Sequence, residues 1–413
     1  MLIIIIIRRT ILFRIKNPYP HISALQSALL YPNSLQTQAL REYLSMPVYL
    51  HAINTWTPQT AYHQSDASEW IQAQFEDKRT RRILRHLYRH SDIDTRHSVV
   101  EAFGQADPTT LFHDRGDGRW SNPGTGDRNR AYVPVSKAAS VQLARETLNS
   151  APGVSAADIT HVITASCTGF YTPGPDHHIV RELGLSPNVE RFHLGFMGCY
   201  AAFPALRMAN TICQAHPHAV VLIQCLELCS LHLQLKADNP DALVAAALFA
   251  DGAGAALVSA RPPAAGAPSY ELHTLASTLI PTGEDDMAWE IGNHGYEIVL
   301  SSYVPHILGD HIRDTLLPRL ADCGWSLPDI GFWAVHPGGK AILDRVAQAL
   351  DLPNDALHIA RDVLRNYGNM SSATIFFLLQ AGLTKIPPDT RTAAMAFGPG
   401  LTVEMAFMQR RNH

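Results

Sequence analysis

The sequence predicts an α/β fold whose strands are covered by helices on both faces. Three observations carry this. Short apolar runs alternate with helical stretches along the chain, and the runs are continuously apolar rather than alternating. Charged residues are only 17% of the chain against 46% apolar, so much of it must be buried. In chain order, Met46-Pro-Val-Tyr-Leu-His-Ala-Ile53 reads as an opening strand, and Ser136–Asn149 keeps helical spacing. His161–Ser166 and Ala219–Leu226 read as buried strands on either side of a helix over Ala201–Ala215. A third strand is expected within Ala247–Ser259. Gly331–Val335 and Thr392–Phe397 repeat the style, with helices expected at Lys340–Leu350 and Ala373–Leu379. Arg261-Pro-Pro-Ala-Ala-Gly-Ala-Pro268 is a linker. It divides the core into halves at 46–265 and 266–413, with no close sequence repeat between them. Arg115–Arg130, rich in Gly, Asp and Asn, reads as a long loop, and its Arg115-Gly-Asp117 tripeptide as accidental.

Composition narrows the function. The 413 residues carry 33 basic and 37 acidic side chains, a formal net charge of −4, which argues against a globally basic nucleic-acid binder and an acidic disordered tail. Gly 26 and Pro 27 are ordinary, so low-complexity readings also fall. Six cysteines, at 167, 199, 213, 225, 229 and 323, form no Cys-x-x-Cys pair, and the 21 histidines show no metal-binding motif. A structural zinc site is therefore not expected, and a reducing cytoplasm is the natural compartment. Met1–Ile7 is apolar, but too short for a membrane span. Arg8 and Arg9 follow that run, whereas a secretory signal puts its charges first. Residues 1–45 are expected to be an extension outside the core; an amphipathic presequence is the other reading.

Three segments could carry chemistry. In Arg191–Arg207, Gly198 ends a strand-like stretch, and Phe203, Leu206, Ala209 and Ile212 keep helical spacing beyond it. Cys199 then sits on a tight turn at a helix start, where the helix dipole favours a thiolate. A buried structural cysteine is the competing reading. Phe332-Trp-Ala-Val-His-Pro-Gly-Gly339 places His336 where a strand meets a close turn, suited to a base or donor or to a satisfied core histidine. Arg365-Asn-Tyr-Gly-Asn-Met-Ser-Ser-Ala373 places Asn369 before an apolar helix, as an oxyanion donor or as a cap. Glu227, ending a buried strand, is either paired or functional. Lys78, Arg82, Arg85 and Arg89 share one helix face, which either binds phosphate or is merely solvated.

Together, Gly-Cys-Tyr-Ala-Ala, His-Pro-Gly-Gly, Tyr-Gly-Asn-Met-Ser-Ser and Phe397-Gly-Pro-Gly-Leu-Thr-Val-Glu404 follow one another in an order that resembles the chalcone synthase-like type III polyketide synthases, over essentially residues 46–410. The resemblance implies a thiolase-like fold: two similar halves stacked αβαβα, in a homodimer. The N-terminal half then carries the nucleophile and the C-terminal half the His and Asn, a triad of Cys199, His336 and Asn369. It further implies Phe249 as a channel guard, Glu227 in a water network near Ser371, and CoA contacts from the basic helix, assigned to Arg82 and Arg85. Cys167 stands at a plant Thr position, as in bacterial members, and Thr172 aligns with a plant Met that reaches across the dimer. Cys229-Ser-Leu-His232 also differs, so plant product identity does not transfer. Ala396 replaces the first glycine of a Gly-Phe-Gly-Pro-Gly loop, and the loop's first turn is expected to shift.

The implied activity is iterative decarboxylative condensation of malonyl-CoA onto an acyl-CoA starter, a fatty acyl chain from the bacterial style of the pocket, with closure to a pyrone or resorcinol. Cys199 would hold the acyl chain, its thiolate paired with the His336 imidazolium; His336 and Asn369 would donate to the malonyl enolate. No metal, nicotinamide or other cofactor is required, and no nucleic acid or membrane span is expected. The alternatives are a single-condensation β-ketoacyl-acyl-carrier-protein synthase III and a non-catalytic thiolase-like binding subunit. A hydrolase reading lacks a Gly-x-Ser-x-Gly elbow.

Overall fold

The structure is a computed structural model and describes residues 46–413. The expectations for residues 1–45 lie outside the described residues. Thirteen strands are described. Those of the first half are β1 (Val48–Trp56), β2 (Ala61–His63), β3 (Thr95–His97), β4 (His161–Ser166), β5 (Glu190–Gly195), β6 (Val220–Leu228) and β7 (Asp251–Ser259). The remainder are β8 (Pro268–Leu279), β9 (Met287–Gly292), β10 (Gly295–Leu300), β11 (Ile330–Val335), β12 (Arg391–Gly398) and β13 (Thr402–Asn412). The helices are α1 (Gln64–Ala73), α2 (Lys78–Arg89), α3 (Thr125–Asn149), α4 (Pro175–Glu182) and α5 (Ala202–Ala215), then α6 (Pro240–Leu248), α7 (Val304–Asp322), α8 (Lys340–Ala349), α9 (His358–Tyr367) and α10 (Thr374–Lys385).

Nine strands form one sheet in the order β11-β12-β13-β8-β1-β7-β6-β4-β5. It contains the same motif twice. From β1, the strands β7, β6 and β4 follow antiparallel, antiparallel and parallel. From β8, the strands β13, β12 and β11 follow in the same directions. The short β1–β8 ladder, Val48–Leu50 against Tyr270–Leu272, joins the two series. Helices α5 and α10 each pack on strands of both series, while α3 covers β1, β6 and β7, and α7 and α9 cover β8 and β11. The layers therefore run helix, sheet, helix, sheet, helix. This duplication leaves no readable sequence repeat because it is a repeat of strand order and burial, not of residue identity.

The central layers explain the unbroken apolar runs. Every residue of β4, β6 and β7 is buried, since helices cover both faces and no polar face is needed. In α10, Thr374–Leu379 is buried on all sides, as a helix between two sheets must be.

Three local expectations differ. Helix α3 begins at Thr125, inside the expected loop; the Asp127 carboxylate caps its first turn by accepting from the Gly124 N–H at 3.2 Å. Ala247 and Leu248 end α6 rather than opening a strand. That helix starts from Asn239, whose side chain accepts from the Ala242 N–H at 3.0 Å, with Pro240 at the first helical position. Ala396 lies within β12, paired with Glu404, and so takes no part in the following turn; the glycine lost there changes no turn geometry.

Candidate active site

Helix α5 is preceded by a turn over Cys199–Ala201. Gly198 makes that turn possible: its φ is +80°, and a Cβ there would lie 2.3 Å from Pro399 Cδ. Pro399 belongs to the Phe397–Gly400 loop, so the loop packs directly against the approach to Cys199. Phe203, Leu206, Ala209 and Cys213 bury the inner face of α5 and fix its start.

His336 follows β11, and its N–H donates to the Met395 carbonyl at 2.8 Å, extending the β11–β12 ladder by one residue. The ring is 1% exposed, and neither Nδ1 nor Nε2 has a hydrogen-bond partner. Asn369 follows the end of α9. Its backbone is clamped to the end of α6: its N–H donates to the Leu248 carbonyl at 3.0 Å, and the Ala250 N–H donates to its carbonyl at 2.9 Å. Its Oδ1 accepts from the Ser371 N–H at 2.8 Å and its Nδ2 donates to the Gly338 carbonyl at 3.2 Å. The amide is thus fixed against the loop that carries His336, with a second Nδ2 hydrogen to spare.

Cys199, His336 and Asn369 line one cavity of about 360 Å³. Cys167, Phe249 and Ser371 line it too. Met287 and Trp289 of β9 and Ile298 of β10 complete its wall. Burial acts against charge on both reactive groups. It pushes the Cys199 thiol up to about 11, partly offset by the side chains of Ser371 and Asn369, and it pulls His336 down to about 3. Desolvation in the free protein therefore favours neutral thiol and neutral imidazole, not the expected ion pair; the helix-start effect on Cys199 is outweighed.

Glu227 is fully buried behind this wall. Its Oε2 accepts from the Cys167 N–H at 2.9 Å and the Thr168 hydroxyl at 3.0 Å, and its Oε1 accepts from Ser372. Burial nevertheless raises its carboxyl to about 7. The serine that bonds Glu227 directly is Ser372, next to the expected Ser371, which lines the cavity with Cys199.

The structure does not bring the remaining expected residues into this cavity. Thr172 is exposed and lines a separate surface pocket with Arg191 and His193. Arg82 and Arg85 are exposed on α2. Among the described residues neither is in an ion pair, and α2 reaches the site indirectly through α6, where Tyr88 donates to the Ala246 carbonyl at 2.8 Å. Sequence reasoning missed the β9–β10 hairpin. Trp289, whose Nε1 donates to the Cys167 carbonyl at 2.9 Å, closes one side of the cavity. The signal lay in Gly292-Asn-His-Gly295 between two short strand-like stretches. Among the described residues, no group of His, Cys, Asp and Glu could hold a metal ion, and no helix is long and apolar enough to cross a membrane.

Comparison with known proteins agrees with this geometry. Residues 42–262 match the N-terminal domain model of chalcone and stilbene synthases, and residues 271–411 match the C-terminal one. The chain is 30% identical over 366 residues to the α-pyrone synthesis polyketide synthase-like Pks18 of Mycobacterium tuberculosis, covering 86% of this chain and 89% of that protein. It is 32% identical over 367 residues to 1,3,6,8-tetrahydroxynaphthalene synthase of Streptomyces peucetius, covering 87% and 92%. The crystal structure of the Streptomyces coelicolor tetrahydroxynaphthalene synthase superposes with a TM-score of 0.77 at 26% identity, over 88% of this chain and all of that one. The C-terminal type III domain of Steely1, a type I/III hybrid from Dictyostelium, gives 0.76 at 28% identity, over 88% and 99%. With both domain models matched in order across nearly all the described residues, the chain belongs to the chalcone and stilbene synthase family and is a type III polyketide synthase, an acyltransferase of thiolase-like fold.

Proposed function

We propose that this enzyme extends an acyl-CoA starter with malonyl-CoA through an acyl chain held on Cys199. The observation that carries the reading is that a thiol, an unpartnered buried imidazole and a fixed carboxamide face one apolar cavity. As the Cys199 sulfur attacks the starter thioester, its proton passes to neutral His336, and CoA leaves as the thiol with that proton. Malonyl-CoA then loses carbon dioxide. Negative charge gathers on its thioester oxygen, where the His336 ring N–H and the free Nδ2 hydrogen of Asn369 can donate. The enolate carbon attacks the acyl-Cys carbonyl, the Sγ–carbonyl bond breaks to release the Cys199 thiolate, which takes up a proton from water, and the lengthened chain leaves on CoA. In this reading residues 46–265 supply the nucleophile and 266–413 the two donors, and Phe249 guards the channel.

The apolar wall favours a fatty acyl starter and closure to a pyrone or resorcinol, with Cys167 and the Glu227–Ser372 pair beside the folding chain. Exposed Arg82 and Arg85 offer charge to the phosphates of CoA. In a homodimer that covers the β5 edge, Thr172 would approach the neighbouring copy. No cofactor beyond the CoA substrates enters the scheme, and free cysteines suit a cytoplasmic setting. Incubating the protein with acyl-CoAs of graded length plus malonyl-CoA, and weighing the products, tests it. The reading expects masses spaced by successive two-carbon units; a single condensation product with every starter would contradict it.

A further inference from the structure

Asn369 can serve the enolate only while its backbone stays seated beside the end of α6. That seat is one residue long: Asn369 forms an isolated parallel bridge with Phe249, with no ladder on either side to hold it. Arg96, on β3, holds both partners of the bridge. The two hydrogens of its Nη1 go to the Ala246 and Phe249 carbonyls, each at 2.8 Å. Carbonyls at a helix C-terminus lack intrahelical partners, and the helix dipole favours a cation there. The stem of Arg96 lies against the other partner. A Cβ on Gly368, the residue before Asn369, would stand 3.0 Å from Arg96 Cγ and 3.0 Å from the Leu248 carbonyl. The φ of Gly368, +70°, also favours glycine. The guanidinium is fixed in its turn. Its Nε donates to Gln64 Oε1 at 2.8 Å, and Gln64 Nε2 donates to the Ala247 carbonyl at 2.8 Å. The Tyr88 ring, whose hydroxyl also donates to the Ala246 carbonyl, lies 5.4 Å from the Arg96 Cζ. Three side chains from one side of α6 thus bind its last carbonyls, and only Arg96 also packs on the backbone that carries Asn369.

We propose that Arg96 is a positioning residue for decarboxylation: its forked guanidinium and its stem seat the end of α6 against Gly368 and Asn369, and so set where the free Nδ2 hydrogen of Asn369 points. This rests on Asn369 being a donor to the enolate. Arg96 does not line the cavity of Cys199; it acts through Asn369 and transfers no proton. A donor displaced by about 1 Å costs up to about 100-fold in rate, so a clamp two residues removed from the chemistry is worth a measurable factor.

The test is a double-mutant cycle on the release of labelled carbon dioxide from malonyl-CoA. Arg96→Gln removes the charge and the fork. Arg96→Lys keeps the charge and loses the planar fork, and it answers if the glutamine variant folds poorly. Each is measured alone and together with Asn369→Ala. The proposal expects Arg96→Gln alone to slow release about 10- to 100-fold and Arg96→Lys to slow it less. Neither should slow it further once Asn369 is alanine. Equal slowing with and without the Asn369 side chain would overturn the proposal and leave Arg96 as a support of the fold; so would unchanged release in both variants. Release that Asn369→Ala alone leaves untouched would instead remove the reading beneath it, a failure the same cycle tells apart.

Discussion

At Cys199 two demands conflict: a buried apolar cavity suits the growing chain, and the same burial penalises the thiolate. The division of labour among the three converging side chains yields a separable prediction. Decarboxylation of malonyl-CoA needs the donors and not the sulfur. Cys199→Ala should therefore retain carbon dioxide release from malonyl-CoA, whereas Asn369→Ala should slow it by about 10²–10³, the usual cost of one oxyanion donor. Release of labelled carbon dioxide measures both. Glu227 makes a second prediction. Its carboxyl is raised from 4.5 to about 7 in the fold, so the folded state binds that proton more tightly than the unfolded chain. Its contribution to stability is full below pH 4.5 and is lost as the pH rises through 7. Glu227→Gln abolishes this loss. Thermal melts should show the variant gaining on wild type between pH 5 and 8, and a constant gap would contradict the assignment. The triad residues were legible because each lies in a short motif at an element boundary. The Ser372–Glu227 hydrogen bond was not, since which of two neighbouring hydroxyls faces the carboxylate depends on the local backbone angles.

Among the elements, the two central helices do most to build the site. Helix α5 opens just after Cys199, and the short turn leading into α10 carries Asn369 and Ser371, so both helix starts face the same cavity. The tight turn before α5 depends on Gly198. Gly198→Ala would place a methyl against Pro399 Cδ at a left-handed φ. It should cost about 1–3 kcal/mol of stability and reduce acylation of Cys199, as read by denaturant midpoint and by intact mass. Strands β4, β6, β11 and β12 were legible to within a residue or two because continuous burial leaves an apolar run. Helix α6 was not: its Ala-rich stretch is apolar without a period. The cavity wall on β9 and β10 was likewise hidden, since that hairpin is too short and too exposed for its pattern to indicate what it covers.

For the whole molecule, the feature that matters is the stacking of two strand motifs about a shared helical layer. The resemblance alone suggested it; apolar periodicity reveals burial but not which strands pair. An ion pair ties the shared helical layer to the second motif. Arg207 of α5 grips Glu404 of β13 with both nitrogens, at 2.6 and 3.0 Å, and the Glu404 side chain is 3% exposed. Arg207 is 37% exposed, so solvent screens part of the attraction. Glu404→Gln should lower stability by about 1–2 kcal/mol, measured by denaturant midpoint with an unchanged slope. The proposed homodimer should elute with about twice the 45.4 kDa chain mass in light scattering. Every step of the scheme passes through one covalent bond, from Cys199 to the acyl chain. The measurement that bears on it most directly is the intact mass of the protein after brief incubation with an acyl-CoA alone. The account predicts one added acyl group on wild type and none on Cys199→Ala; an equal adduct on both would contradict it.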